Sequence, residues 1–303
     1  MNVIQPQKLQ CGDTIGIIAP SIALKPEHIQ HSTQRLCSLG FHIQLADHIF
    51  SDAYGFSGSI EERAEDFNAM ISNDKIKMLL FGGGEVCNEI LPYIDYDNIR
   101  RNPKIICSSS DSTTLLNAIN YMSGLITFYW ASVRTFEHLT DYNRQAFENL
   151  LMTAGHKYMK SAPWKTIHPG KCEGVLAGGY LVNYAALYGL EFYREIPYDS
   201  CILFLEDHER FSSPAAVSKW LANLEHRNVF KKVVGLIFGH YAVNDYPVID
   251  DILYRIGEKY HIPVVRCEDF GHGLNNAILP IGVAARLDTD ADVFALLESG
   301  VCD

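Results

Sequence analysis

The feature that most limits what this chain can fold into is an alternation in its first half, where short apolar runs take turns with segments of helical periodicity. Thr14-Ile15-Gly16-Ile17-Ile18-Ala19-Pro20-Ser21 reads as a buried strand ended by proline. Residues 26–39 have helical spacing, and Gly40 supplies a C-terminal stop. Residues 41–45 form a second strand and 59–71 a second helix, opened by a capping box of Ser59 and Glu62. Lys77-Met78-Leu79-Leu80-Phe81 is a third strand and runs into Gly82-Gly83-Gly84. Short helices at 88–91 and 96–101 lead to Lys104-Ile105-Ile106-Cys107, and a helix with Leu115, Leu116, Ile119 and Met122 follows Ser110. This pattern predicts an α/β fold, with a doubly wound, flavodoxin-like parallel sheet covered on both faces.

From Gly124 to Pro163 the pattern weakens to one more short strand, 126–130, and a polar helical stretch to Leu151. Residues 156–170 carry two prolines and little periodicity, so the expected division is 1–155, a linker at 156–170, and 171–303. The last part has apolar runs at 174–177, 201–205, 233–238 and 262–265, with one clear helix at 213–224. Residues 279–287 read as a strand pair, which gives a second, smaller, strand-rich α/β domain.

Composition narrows the function classes. A formal net charge of -11, without any Lys/Arg cluster carrying interleaved aromatics, excludes a nucleic-acid polymer as the expected partner. Residues 1–8 lack the basic start and apolar run of a signal peptide, and no apolar stretch is long enough to span a membrane. The eight cysteines form no C-x-x-C pair, and several lie inside apolar runs. They point to a reduced, cytoplasmic protein rather than a disulfide framework or a zinc knuckle.

Four polar clusters end apolar runs, where α/β proteins place their sites. Gly82-Gly83-Gly84 can turn tightly and present N–H groups to an oxyanion, although it lacks the spacing of a dinucleotide fingerprint or a P-loop. Ser108-Ser109-Ser110-Asp111 joins a strand end to a helix N-terminus, where free N–H groups and the helix dipole favour developing negative charge. A hydroxyl there is a nucleophile, or else Ser110 or Asp111 only caps the helix. Glu206-Asp207-His208-Glu209 follows five apolar residues, so Glu206 lies at a strand end, suited to orient a histidine; metal binding by this cluster is the lesser reading. His272 stands between glycines in Phe270-Gly271-His272-Gly273, and His240 is its rival. Ser110, His272 and Glu206 supply nucleophile, base and orienting acid, with N–H groups at Gly84 and Asp111 as an oxyanion hole. The order Ser…Glu…His matches α/β-hydrolases, but the G-x-S-x-G elbow is missing, so that fold is not expected.

In order and spacing these segments resemble the LD-carboxypeptidase family of serine peptidases. The family includes muramoyltetrapeptide carboxypeptidases and microcin C self-immunity peptidases. The resemblance runs from Gly12-Asp13-Thr14 through Gly83-Gly84, Ser110-Asp111 and Gly178-Gly179 to Leu203-Phe204-Leu205-Glu206-Asp207, Phe270-Gly271-His272-Gly273 and Leu279-Pro280-Ile281-Gly282. It implies a Ser110–His272–Glu206 triad, a Gly84/Asp111 oxyanion hole and a site between two domains, often in a homodimer, with no cofactor and no metal. The substrate it implies is a murein tetrapeptide cut before its C-terminal D-residue or, in the microcin branch, an aminoacyl or peptidyl nucleotide; a non-catalytic binding protein on the same fold is the third reading. The stretch after Gly83 is closer to the microcin type. The departures from the family pattern are Ser108 and Ser109 before the nucleophile, Trp130-Ala131 following the strand near Phe128, Tyr180 after the paired glycines, and a missing arginine at 212–218. They bear on the pocket, where Gly83, Trp130 and Tyr180 are the expected substrate contacts, with a place in the core as the equal alternative for Trp130 and Tyr180. Ser109 is the alternative nucleophile.

Overall fold

The computed structural model describes residues 3–244 and 246–303, so Met1 and Asn2 of the N-terminal stretch lie outside the described residues. Five strands of the first half lie parallel: β1 (Thr14–Ile18), β2 (His42–Leu45), β3 (Ile76–Phe81), β4 (Ile105–Ser108) and β5 (Thr127–Tyr129). Their spatial order, β2-β1-β3-β4-β5, is that of a flavodoxin-like sheet. The central strands β3 and β4 are buried almost throughout, because helices cover both faces, while the edge strand β2 alternates exposed and half-buried positions. Helices α1 (Pro26–Ser38), α2 (Ile60–Ser72), α3 (Tyr96–Arg101) and α4 (Thr113–Ser123) make the crossovers. The capping box of α2 is formed: the Glu62 N–H donates to Ser59 Oγ at 3.2 Å, and Glu62 Oε2 accepts from the Ser59 N–H at 2.7 Å.

After α5 (Asp141–Phe147), which continues as a π-helical turn at Glu148–Met152, the chain enters a second sheet. Residues 156–170, expected as a linker, contain β6 (Lys165–His168), which pairs antiparallel with a later strand. The parallel core of this sheet is β7 (Lys171–Tyr180), β8 (Cys201–Glu206), β9 (Val233–His240) and β10 (Val264–Gly271). The sequence pointed to one helix in this half; the structure has α6 (Leu181–Leu187), α7 (Pro214–His226) and α8 (Pro247–Tyr260). In α8 the buried Ile249, Ile252, Leu253 and Ile256 recur at helical spacing among exposed polar residues such as Asp251 and Glu258.

The supposed strand pair at 279–287 is divided between the two sheets. Its first strand, β11 (Leu279–Ile281), crosses over and pairs antiparallel with β5. Its second, β12 (Ala284–Asp288), pairs with β7 and with β13 (Val293–Leu296). Among the described residues the sheets therefore read β11-β5-β4-β3-β1-β2 and β13-β12-β7-β8-β9-β10-β6. Gly282, at a positive φ of 102°, makes the turn where the chain passes from one sheet to the other.

Helix α4 lies between the sheets and is buried along nearly its whole length. Burying both faces of a helix with polar residues requires partners, and Asn117 has them: its Nδ2 donates to Gly178 O of β7 at 2.8 Å. The carboxyl ends of β4, β5, β7, β8 and β10 meet above this helix's N-terminus.

Candidate active site

Ser110 follows β4 and opens a short 3-10 turn, Ser110–Ser112, that leads into α4. Its φ is +56°, a left-handed conformation that costs a serine about 1–2 kcal/mol. The turn lifts Ser110 Oγ to 3.0 Å from His272 Nε2. On the other side of that ring, Nδ1 lies 2.9 Å from Glu206 Oε2. Glu206 is the last residue of β8 and is 0% exposed, as its place after five apolar residues predicts. Gly271 ends β10 at φ +108°, and a Cβ there would sit 3.1 Å from Glu206 Oε2, so glycine lets the histidine loop close onto the acid. Three distant segments thus converge in one hydrogen-bonded line.

Burial pulls the His272 imidazole down, but the Glu206 hydrogen bond and the charges of Glu206 and Asp207 outweigh it and leave the group above its ordinary value. Ser109 sits one residue away from this line. His240, the rival histidine, pairs through Nδ1 with Glu268 instead.

Glycine at position 84 is obligatory, since a Cβ would overlap Ser21 Cβ and Oγ. Ser21 Oγ accepts from the N–H groups of Glu85 and Val86 at 2.9 and 3.0 Å, which fixes the glycine turn. Asp111 ties this turn to the serine turn, because its Oδ2 accepts from the Cys87 N–H at 3.0 Å and its Oδ1 from Asn183 Nδ2 at 3.1 Å. Burial pushes the Asp111 carboxyl up. Neither the Gly84 nor the Asp111 N–H donates to a backbone acceptor among the described residues. Two free donors beside the Ser110 hydroxyl form a geometry that could receive a developing oxyanion.

Gly84, Ser110, Asp111, Tyr180 and His272 all line a cavity of about 770 Å³ between the two halves. Gly83 does not line it. Trp130 departs from its expected role as a substrate contact. It is 2% exposed and stacked on Phe147, and its indole N–H donates to Asn276 O at 2.6 Å. An aromatic residue next to a strand end was the right signal, but the core claims this one. Tyr180 does face the cavity, with its ring 5.2 Å from that of His272.

Sequence reasoning missed Arg210 and Phe211, both on the cavity wall. Arg210 comes four residues after Glu206, on the loop leaving β8, and its guanidinium pairs with no carboxylate among the described residues. Phe211 is exposed, with its ring 5.3 Å from that of His272. Tyr129 was missed as well; its hydroxyl donates to Glu206 Oε1 at 2.6 Å.

The chain is also similar to known proteins over nearly its whole length. Residues 15–130 match the LD-carboxypeptidase N-terminal domain and residues 173–287 the LD-carboxypeptidase C-terminal domain. The microcin C7 self-immunity protein MccF of Escherichia coli is 30% identical, over 96% of this chain and 94% of that protein. A probable murein peptide carboxypeptidase of Bacillus subtilis is 29% identical, over 99% of this chain and 96% of its own length. The solved structure of MccF with aspartyl sulfamoyl adenosine superposes with a TM-score of 0.86 at 28% identity, covering 99% of this chain and 100% of that one.

Proposed function

The chain belongs to the LD-carboxypeptidase family, and on that premise we propose that it is a serine carboxypeptidase. It hydrolyses the amide before the C-terminal D-residue of murein tetrapeptides through an acyl-enzyme. The observation that carries this reading is the unbroken line from Ser110 Oγ through His272 to the buried Glu206, at 3.0 and 2.9 Å, on the cavity wall.

In the proposed reaction Ser110 Oγ attacks the carbonyl carbon while His272 Nε2 takes its proton. Glu206 holds Nδ1–H toward itself and stabilises the imidazolium that forms. The tetrahedral oxyanion is received by the Gly84 and Asp111 N–H groups. When the C–N bond breaks, His272 returns the proton to the leaving amine. A water then attacks the acyl-enzyme, again through His272. Arg210, a cation on the wall that pairs with no carboxylate among the described residues, suits the terminal carboxylate of the substrate.

A second reading has a specific observation in its favour. The cavity wall of Val182, Leu187, Leu190 and Phe211 is apolar and large enough for a nucleoside, and MccF is similar over nearly the whole chain. In that reading the same residues cut the amide of an aminoacyl or peptidyl nucleotide. Work in the cytoplasm belongs to the same proposal, supported by eight cysteines that are all free thiols; a homodimer rests on the family resemblance and is checked by sedimentation. Among the described residues no helix is long and apolar enough to cross a membrane.

The deciding experiment is turnover of a murein tetrapeptide and of aspartyl sulfamoyl adenosine by the wild-type protein and by Ser110→Ala. Ser110→Ala should lose roughly a million-fold in kcat on whichever substrate is cut. Undiminished turnover by that variant would refute the assignment, and turnover of neither substrate by the wild type would favour a binding protein.

A further inference from the structure

Tyr129 ends β5, and its ring is fully buried beside that of Phe204. Its hydroxyl makes two directional contacts. It accepts from the Ser110 N–H at 3.1 Å and donates to Glu206 Oε1 at 2.6 Å. The second carboxylate oxygen faces His272 Nδ1, and His272 Nε2 faces Ser110 Oγ. The bonds therefore close a ring that leaves Ser110 through its backbone nitrogen and returns to it through its side-chain oxygen.

We propose that Tyr129 is a positioning residue of the hydrolytic site, one that locks the left-handed turn of Ser110 to Glu206 and tempers the charge that Glu206 presents to His272. The inference rests on the roles given above to Ser110, His272 and Glu206. Without the phenol, the Ser110 N–H loses its acceptor and the turn that aims Oγ is no longer tied to the acid. Glu206 Oε1 loses its donor at the same time, in a place water does not reach. Burial first, and the Glu206 charge second, push the Tyr129 phenol well up, so it stays a donor across the working range of pH.

The two effects separate experimentally. Loosening the turn should lower kcat by about 10- to 100-fold, because small misplacements of a nucleophile are costly. KM should barely move, since Tyr129 does not line the cavity. Removing the donor leaves more of the Glu206 charge acting on the imidazole, which favours imidazolium, so His272 should titrate at higher pH. The other groups facing His272 stay in place: Asp207 and His208 beyond β8, and Tyr180 at the end of β7. A tyrosine that only filled space would move stability and leave this titration alone.

The test compares wild type, Tyr129→Phe and Ser110→Ala by kcat and KM against pH on both substrates, together with an NMR titration of the His272 ring, which needs no turnover. Fluorotyrosine at position 129 keeps the shape and strengthens the donor, so it should move the His272 midpoint to lower pH, opposite to Tyr129→Phe. Opposed shifts support the proposal. A His272 midpoint that neither replacement moves, with kcat of Tyr129→Phe within twofold of wild type, overturns it. Full turnover by Ser110→Ala would instead bring down the nucleophile assignment, while the titration still decides whether Tyr129 is coupled to His272.

Discussion

Replacing Glu206 by glutamine changes almost no volume, yet it should disable the site. Glu206 is fully buried, and its two oxygens receive two donors, Tyr129 Oη–H and His272 Nδ1–H. Glutamine offers one acceptor and one amide donor. If its oxygen faces His272, the NH2 meets Tyr129 Oη, which already accepts from Ser110, and the phenol proton is left without a partner. If its NH2 faces His272, the imidazole must take the other tautomer, with Nε2–H pointing at Ser110 Oγ, and it no longer serves as a base. In both cases the negative charge that stabilises the imidazolium is gone. Carboxylate-to-amide changes of this kind cost about 10⁴ in kcat, or about 5.5 kcal/mol of transition-state stabilisation. The folded state should lose only about 1–3 kcal/mol, the cost of one unsatisfied buried donor. Steady-state hydrolysis of the tetrapeptide and a urea unfolding curve separate the two numbers. A Glu206→Gln protein within tenfold of wild-type turnover would refute this reasoning.

Because Glu206 and Asp207 raise the His272 group despite its burial, and the base must be neutral, the acid limb of kcat/KM should lie above the ordinary imidazole value of about 6.5; a limb below it would contradict the geometry. Asp207, buried and with Oδ2 unpartnered, has its carboxyl pushed up to about 6 by burial. The folded protein therefore holds that proton more tightly than the unfolded chain between roughly pH 4 and pH 6, and stability falls as pH rises through that window. Asp207→Asn should then gain up to about 3 kcal/mol over wild type at pH 7 and nothing at pH 4, measured by urea midpoints at the two values. Gly84→Ala forces Ser21 aside, and turnover should fall roughly a hundredfold as the oxyanion donors shift, with activity at the wild-type level as the contrary result. Arg210→Ala should raise KM about tenfold and spare kcat, if the guanidinium holds a ground-state carboxylate.

How much of this was legible in the sequence depends on whether the signal was local. The β-α alternation, the Ser59–Glu62 box and the strand-to-helix step at Ser110 are readable because neighbours in sequence decide them. Glu206 was legible because five apolar residues precede it. By contrast, the split of 279–287 between two sheets depends on which edges are left open by strands far away in the chain, and the local pattern is the same either way. Trp130 and Tyr129 are adjacent aromatics at one strand end, and only the packing of Phe147 and the reach of Glu206 tell them apart. Arg210 was not legible because the geometry of the loop that carries it to the cavity is coded by no periodicity.

The crossing of β11 has a consequence for how the molecule is made. While the chain is being synthesised, β5 is an open margin until residues 279–281 have emerged, although nearly everything else in its sheet is already complete. A fragment ending before Leu279 keeps the serine but exposes that margin to its own kind, so it should associate rather than accumulate as a dormant half-enzyme. The N-terminal tail is fastened in two places, Ile4 meeting Leu125 and Gln7 meeting Cys302, so only the second of these contacts waits, like β5, for a segment synthesised much later.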